Sequence, residues 1–136
     1  MKLGLIAGSL VLLFGLFLSL GAQTSFAGTV QIKDDVHIEL LPECLECANH
    51  SCEPNCFFNT TTMELVAIKP VKKGDELTFF YPSAEWDMNQ AFQCNCGNKE
   101  CVGNIKGAKY LSDAALKKYR FTDFIQSKLA ARQLFS

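Results

Sequence analysis

The sequence predicts a mainly β fold that ends in helices and follows an apolar helical leader. Short segments with alternating apolar and polar residues, separated by turn residues, predict the β part. Apolar residues at helical spacing behind capping residues predict the C-terminal helices. The chain has 136 residues, with 13 Lys and Arg against 14 Asp and Glu. Its length fits one domain, and its charge gives no support for direct nucleic-acid binding.

The leader is the most apolar part of the chain. Residues 3–22 are apolar, Gly or Ser throughout, and Lys2 is the only charge before Lys33. Such a run is long enough to cross a bilayer as a helix, and Ser25-Phe26-Ala27 has the small-x-small pattern of a signal cleavage site. We therefore expect a signal-like or transmembrane leader over 1–27 and a membrane or secretory location. Without that leader, we expect an intracellular protein, nuclear or cytoplasmic.

Beyond the leader, the residue pattern predicts a series of short strands. Alternation predicts strands at 29–33 and 36–40, which Asp34-Asp35 would join into a hairpin. The segment 41–55 contains Cys and Pro without clear periodicity, so we expect a loop or a short helix there. Further strands are expected at 56–59, 63–69 and 76–81, the last one ended by Pro82 because proline cannot donate to a sheet.

The C-terminal tail has the signals of two helices. Ser112 is placed to cap a helix over 113–120, with an acidic residue in its first turn. Thr122 is placed to cap a second helix over 123–134. The apolar residues of that second helix fall on one face, which predicts that it packs on the core: Phe124, Ile125 and Leu129.

The seven cysteines all lie between positions 44 and 101, and an odd number argues against complete disulfide pairing. Cys94, Cys96 and Cys101 form a Cys-x-Cys-x4-Cys cluster, which indicates metal ligation. A structural zinc site usually needs four such ligands, so a fourth must come from elsewhere. Cys44 and Cys47 form a separate Cys-x-x-Cys outside any strand–helix redox pattern, and we interpret them as packed or incidental thiols.

Three motifs in a fixed order point to one family. They are the octapeptide Asn49-His50-Ser51-Cys52-Glu53-Pro54-Asn55-Cys56, the segment Glu76-Leu77-Thr78-Phe79-Phe80-Tyr81 and the cysteine cluster. Together they resemble the C-terminal half of a SET-domain protein lysine methyltransferase with its post-SET zinc motif. The resemblance implies a β-clip fold, truncated at its N-terminus because no Gly-x-Gly opening segment is found. It divides the chain after the leader into a partial SET domain (28–92), a post-SET zinc segment (93–109) and a helical tail (110–136).

The resemblance also implies a role for each motif. Asn49, His50 and Ile105 would bind the cofactor S-adenosyl-L-methionine. Tyr81 would be the catalytic residue that positions the amine, and Phe79 would line the substrate channel. The partner would be a protein with a target lysine. The second cofactor would be zinc, with the Cys of the octapeptide completing the ligand set: Cys52, Cys94, Cys96 and Cys101.

Three functions stay open at this point. The first is an active S-adenosyl-L-methionine-dependent protein lysine methyltransferase. The second is a non-catalytic, zinc-stabilised SET remnant that acts as a binding module, since Glu46-Cys47-Ala48 departs from the Arg-aromatic-apolar triplet common in the family. The third is a secreted or membrane-anchored disulfide protein, in which Asn49-His50-Ser51 and Asn59-Thr60-Thr61 would be glycosylation acceptors.

Overall fold

The computed structural model describes residues 11–13, 29–40 and 43–134. Within these residues the fold consists of short strands followed by two helices, as the sequence predicts. The strands are β1 (Val11–Leu13), β2 (Thr29–Lys33), β3 (Val36–Glu39), β4 (Asn49–His50), β5 (Cys56–Asn59), β6 (Glu64–Ala67), β7 (Thr78–Phe79), β8 (Phe92–Gln93) and β9 (Asn104–Ile105). The helices are α1 (Asp113–Lys118) and α2 (Asp123–Leu134), and three short 3-10 helices lie at Glu43–Cys47, Tyr81–Ser83 and Ala108–Tyr110.

The predicted hairpin is confirmed. β2 pairs with β3 in antiparallel fashion, and Val30 lies opposite Ile38. Both of these side chains are buried in the first of two apolar clusters. The turn falls at Asp34-Asp35, as expected from its residues.

The predicted apolar helical leader is corrected where the structure describes it. Val11–Leu13 is a strand, and it pairs antiparallel with Glu64–Val66 at the edge of a sheet ordered β1, β6, β5. A short apolar run suits a sheet as well as a helix, so periodicity alone cannot separate the two. The rest of the predicted leader lies outside the described residues. In the ranges that are described, no helix has the length and apolar character needed to cross a bilayer.

A parallel pairing of two very short strands brings the octapeptide beside the second motif, the segment 76–81. β4 lies parallel to β7, with Asn49 opposite Thr78 and His50 opposite Phe79. Asn55 fastens the pair: its side chain donates to the Glu76 carbonyl and accepts from the Thr78 N–H, both at 2.8 Å. The strand predicted over 76–81 is therefore shorter, and the chain turns into a 3-10 helix at Tyr81–Ser83.

Residues 93–109 and the C-terminal tail supply most of the second apolar cluster of the core. β8 pairs antiparallel with β9, so that Phe92 lies opposite Ile105. Ser112 caps α1 by accepting from the Ala115 N–H at 3.3 Å, as predicted. The predicted side-chain cap of Thr122 is wrong, because its hydroxyl is buried without a hydrogen-bond partner among the described residues. Instead, the Thr122 N–H donates to the Ser83 carbonyl at 2.9 Å, which draws this residue into the core.

Tyr81 lies where the two apolar clusters meet. The first cluster contains the β2–β3 hairpin, β5, β6 and Phe79, and the second contains Cys52, Phe80, Ile105 and the buried faces of the helices. Partly buried Tyr81 packs against both. Tyr81, to which the family resemblance assigns the catalytic role, is thus held in place by both apolar clusters.

Candidate active site and metal centre

A cavity of about 280 Å³ opens beside Tyr81 and Phe79. Its apolar wall also includes Ala48 and Phe92. The rings of Tyr81 and Phe79 lie 4.7 Å apart between centroids, with their planes inclined by 37°. The structure therefore places the predicted catalytic residue and the predicted channel residue on the same cavity. Phe92 lines it from β8.

Tyr81 is fixed at both ends. Its backbone N–H donates to His50 Nδ1 at 3.2 Å, and its hydroxyl donates to the Ala48 carbonyl at 3.4 Å. Burial raises the pKa of the Tyr81 phenol above its ordinary value. The hydroxyl therefore stays protonated at neutral pH and available as a hydrogen-bond donor.

His50 connects this cavity to the cysteine cluster. Burial among Phe80, Tyr81 and Phe92 lowers the pKa of His50 to about 4, so the ring is neutral at pH 7. Since Nδ1 accepts from the Tyr81 N–H, the remaining ring proton belongs on Nε2. That atom lies 3.4 Å from Cys52 Sγ and can donate to the sulfur. His50 is thereby held in one tautomer and one orientation.

The other predicted cofactor residues lie apart from the cavity. The side chain of Asn49 is exposed and donates to the Glu76 carboxylate. Ile105 is completely buried in the second apolar cluster. The described residues that line the cavity include neither of these side chains, nor His50. Their roles toward the cofactor stay predictions.

The rim of the cavity is acidic. Four carboxylates line it, and none of the described lining residues is Lys or Arg: Asp34, Glu46, Glu85 and Asp87. Three of these carboxylates already face a basic side chain: Asp34 faces Lys128, Glu85 faces His37 and Asp87 faces Lys109. Glu46 is the lining carboxylate for which no basic partner is described, so it is the one placed to attract a positively charged molecule. Sequence reasoning missed the pair formed by Glu85 and His37, whose atoms Oε2 and Nε2 lie 3.4 Å apart. These residues are 48 positions apart, and no local pattern connects them.

The predicted zinc ligands converge. The Sγ atoms of Cys52, Cys94, Cys96 and Cys101 all lie within 4.8 Å of one another. Cys52 Sγ is 3.8 Å from both Cys94 Sγ and Cys101 Sγ. In a tetrahedral site with Zn–S bonds of about 2.3 Å, neighbouring sulfurs are about 3.8 Å apart. The spacing and the soft donor set therefore fit zinc.

Backbone donors surround these sulfurs. The Val102 N–H donates to Cys52 Sγ and the Gly103 N–H to Cys101 Sγ, each at 3.4 Å. The Asn98 N–H lowers the pKa of the exposed Cys96 thiol to about 6. Burial, in contrast, raises the pKa of Cys52 and Cys94. A divalent cation would offset the cost of ionising the buried thiols.

The remaining cysteines stand outside this group. Cys47 is exposed and Cys56 is buried, and all six cysteines that are described with side chains are free of disulfides. The described thiols thus gather at one point and do not form a disulfide framework. The prediction for Cys44 lies outside the described side chains.

Comparison with known proteins shows which family one segment of the chain matches. Residues 18–82 match the family model of the SET domain. A protein of Aspergillus flavus named methyltransferase flvH is 40% identical over 108 residues, which cover 78% of this chain and 60% of that protein. Histone-lysine N-methyltransferase 2B of Homo sapiens is 39% identical over 59 residues, covering 39% of this chain and 2% of that protein.

A third relative is a histone-lysine N-methyltransferase of Mycosarcoma maydis that is H3 lysine-36 specific. It is 38% identical over 65 residues, which cover 43% of this chain and 7% of that protein. The chain thus spans 60% or less of the length of each of these relatives. The segment 18–82 belongs to the SET-domain family, and the resemblance to SET-domain methyltransferases is confirmed. The post-SET assignment of the cysteine cluster lies outside the matched segment and stays a prediction.

Proposed function

We propose that this chain acts as an S-adenosyl-L-methionine-dependent protein lysine methyltransferase with a structural zinc centre. One observation carries the proposal: Tyr81 and Phe79 line the same cavity, and Tyr81 is tied by its N–H to His50 of the octapeptide and by its hydroxyl to Ala48, the residue directly before it. The methyltransferase names of the relatives support the same reaction class. We also propose the boundaries 28–92, 93–109 and 110–136 for the partial SET domain, the zinc segment and the tail.

The cavity lining suits a lysine side chain. The Glu46 carboxylate attracts an ammonium group, and the aromatic wall of Phe79, Tyr81 and Phe92 then removes it from water. Removal from water lowers the pKa of an amine, which favours the neutral, nucleophilic form. The Tyr81 hydroxyl, held against the Ala48 carbonyl, positions that amine.

Both cofactors are consistent with the residues present. S-Adenosyl-L-methionine, when bound, supplies an electrophilic methyl group on a positively charged sulfonium, and a cavity wall without Lys or Arg among its described residues is compatible with that charge. Asn49, His50 and Ile105 remain the proposed binding residues. Zinc would join Cys52 of the octapeptide to the loop of Cys94, Cys96 and Cys101, and so order both segments.

The proposed partner is a basic protein segment that presents a target lysine. Glu46, whose carboxylate lines the cavity, is exposed and lies two positions before buried Ala48. It is therefore placed to meet a positive residue that flanks the lysine. Two of the relatives are named for histone-lysine methylation, which is consistent with a basic substrate of this kind.

We expect the zinc-loaded full chain to bind S-adenosyl-L-methionine and to methylate a lysine in a basic peptide. Binding is measured by calorimetry and methylation by mass spectrometry. Tyr81→Phe should lower the transfer rate by roughly 100-fold, because the amine loses its positioning contact, while cofactor affinity is kept. Tyr110→Phe is the matched control, since Tyr110 is exposed and does not line the cavity, and Asp87, which its hydroxyl contacts, keeps its ion pair with Lys109. Equal rates for Tyr81→Phe and wild type would refute the assigned role.

A second candidate function is a binding module without catalysis. It is favoured by the fact that Asn49, His50 and Ile105 do not line the cavity beside Tyr81. In that case the acidic cavity would hold a basic segment and no methyl transfer would follow. Folded, zinc-loaded protein that binds the basic peptide but shows no heat with S-adenosyl-L-methionine would select this function.

A further inference from the structure

Tyr119 contacts the backbone of Cys52, one of the four predicted zinc ligands, and does not line the cavity beside Tyr81. It follows α1 directly, and its N–H donates to the Ala115 carbonyl at 3.2 Å. Its hydroxyl donates to the Cys52 carbonyl at 2.8 Å. Its ring stacks on Phe80 with 3.7 Å between centroids and 12° between planes. Tyr119 is therefore anchored to the helix, to the core and to the backbone of a zinc-ligand residue.

The ligand that Tyr119 touches is the one most in need of positioning. Cys94, Cys96 and Cys101 lie in a single loop, whereas Cys52 comes from a segment 42 positions before the first of them. The geometry of the four sulfurs depends on how firmly the Cys52 backbone is held against that loop. Val102 and His50 hold the Cys52 sulfur, and Tyr119 holds its carbonyl.

A second, weaker connection runs from the end of α1 to the loop that carries Cys101. Lys118 Nζ lies 2.6 Å from Glu100 Oε2, directly before Cys101. Both side chains are well exposed, with 37% and 74% of their surfaces accessible, so water screens this ion pair. The Tyr119 hydrogen bond is part-buried and is the stronger of the two connections.

We propose that Tyr119 is a positioning residue for the metal centre, so that the C-terminal tail sets the affinity for zinc. The inference rests on the zinc centre of the proposed function and adds a residue that the cysteine motif does not contain. Groups that orient metal ligands without touching the metal typically change affinity by about 10-fold to 100-fold when they are removed. Because one hydrogen bond is involved, we expect an effect at the lower end.

The test compares two Tyr→Phe variants of the full chain. Tyr119→Phe keeps the stacked ring and removes only the hydroxyl, and it should raise the zinc dissociation constant about tenfold. Tyr110→Phe makes the same chemical change at an exposed tyrosine of the tail and should leave the constant unchanged. Lys118→Gln should stay within about twofold of wild type, because the ion pair is exposed. The constants are measured by competition with a chromophoric chelator.

Cobalt substitution separates positioning from general stability. Tyr119→Phe should alter the visible absorption of the Co²⁺-loaded protein, because the orientation of the Cys52 ligand changes, whereas a purely structural role would leave the spectrum as in wild type. A zinc affinity for Tyr119→Phe equal to that of Tyr110→Phe would overturn the inference alone. Wild-type protein that binds no zinc would overturn both the inference and the zinc part of the proposed function.

Discussion

Gly107 allows two segments around the cavity to approach each other closely. Its φ is +115°, and a Cβ atom there would lie 2.4 Å from the Trp86 carbonyl oxygen. This approach permits hydrogen bonds of 2.8 Å from the Ala108 N–H to the Glu85 carbonyl and from the Met88 N–H to the Lys106 carbonyl. A single residue without a side chain thus positions the segment that carries Glu85 into the cavity wall.

Gly107→Ala should therefore destabilise the fold by about 3 kcal/mol, the combined cost of left-handed backbone strain and overpacking. Gly74→Ala is the matched control. Gly74 also has a positive φ, +94°, but a Cβ there would meet nothing within 4 Å. Its substitution should cost about 1 kcal/mol from strain alone. Urea unfolding of the two variants measures the difference. Equal decreases in the free energy of unfolding would show that the close approach to Trp86 adds nothing to the cost of the substitution.

At the scale of elements, the β2–β3 hairpin is tied to the segment after Tyr81. His37 Nε2 faces Glu85 Oε2 at 3.4 Å, and Gln31 Oε1 accepts from the Trp86 N–H at 3.0 Å. The hydrogen bond to Glu85 raises the pKa of His37 above its ordinary value. The ion pair joins the hairpin to the segment after Tyr81, and both of its residues line the cavity.

Because His37 can lose its charge, the stability that this contact contributes to the fold should depend on pH. A histidine whose pKa is raised in the folded state contributes stability below its unfolded pKa, about 6.5, and loses it as pH rises through the folded pKa. The stability advantage of wild type over His37→Gln should therefore be largest below about pH 6.5 and should shrink as pH rises through the folded-state pKa of His37, which lies above 6.5. Comparing urea midpoints of the two proteins at each pH cancels the other titrating groups. An advantage that stays constant or grows with pH would contradict the pairing.

At the scale of the whole molecule, the metal centre joins distant parts of the chain. Cys52 belongs to the octapeptide, whereas Cys94 and Cys101 belong to the segment 93–109. All three cysteines lie in or against the second apolar cluster, which also contains the buried faces of the tail helices. A domain of about this size has a modest core, so a structural metal at these cysteines would add a large share of its stability. Removing zinc should loosen the octapeptide and the tail together.

Cys96→Ser tests this dependence with little change in packing, because Cys96 is exposed. In excess zinc, the variant should melt on the order of 10 °C lower than wild type, since it loses ligand-linked stabilisation. Cys47→Ser, also exposed and outside the cluster, should melt like wild type. A chelator should lower the melting temperature of wild type and Cys47→Ser and leave Cys96→Ser nearly unchanged. Identical melting of all three proteins in zinc would argue against a structural metal.

Local signals in the sequence determined the β2–β3 hairpin, the helix α2 and the loop that carries three of the metal ligands. Alternation, capping residues and cysteine spacing act between neighbours along the chain, so they can be recognised without a structure. The Ser112 cap follows the same logic. The family resemblance added what spacing could not: the roles proposed for Cys52 and Tyr81.

Only the tertiary structure decided the contacts between residues far apart in the chain. It made Val11–Leu13 a strand, turned the Thr122 hydroxyl into the core and brought His37 to Glu85 and Tyr119 to Cys52. A strand of two residues, such as β4, has too few positions to show a period, and its parallel partner lies far along the chain. Such choices depend on which distant surfaces are available to pack, and packing between distant segments leaves no trace in local periodicity.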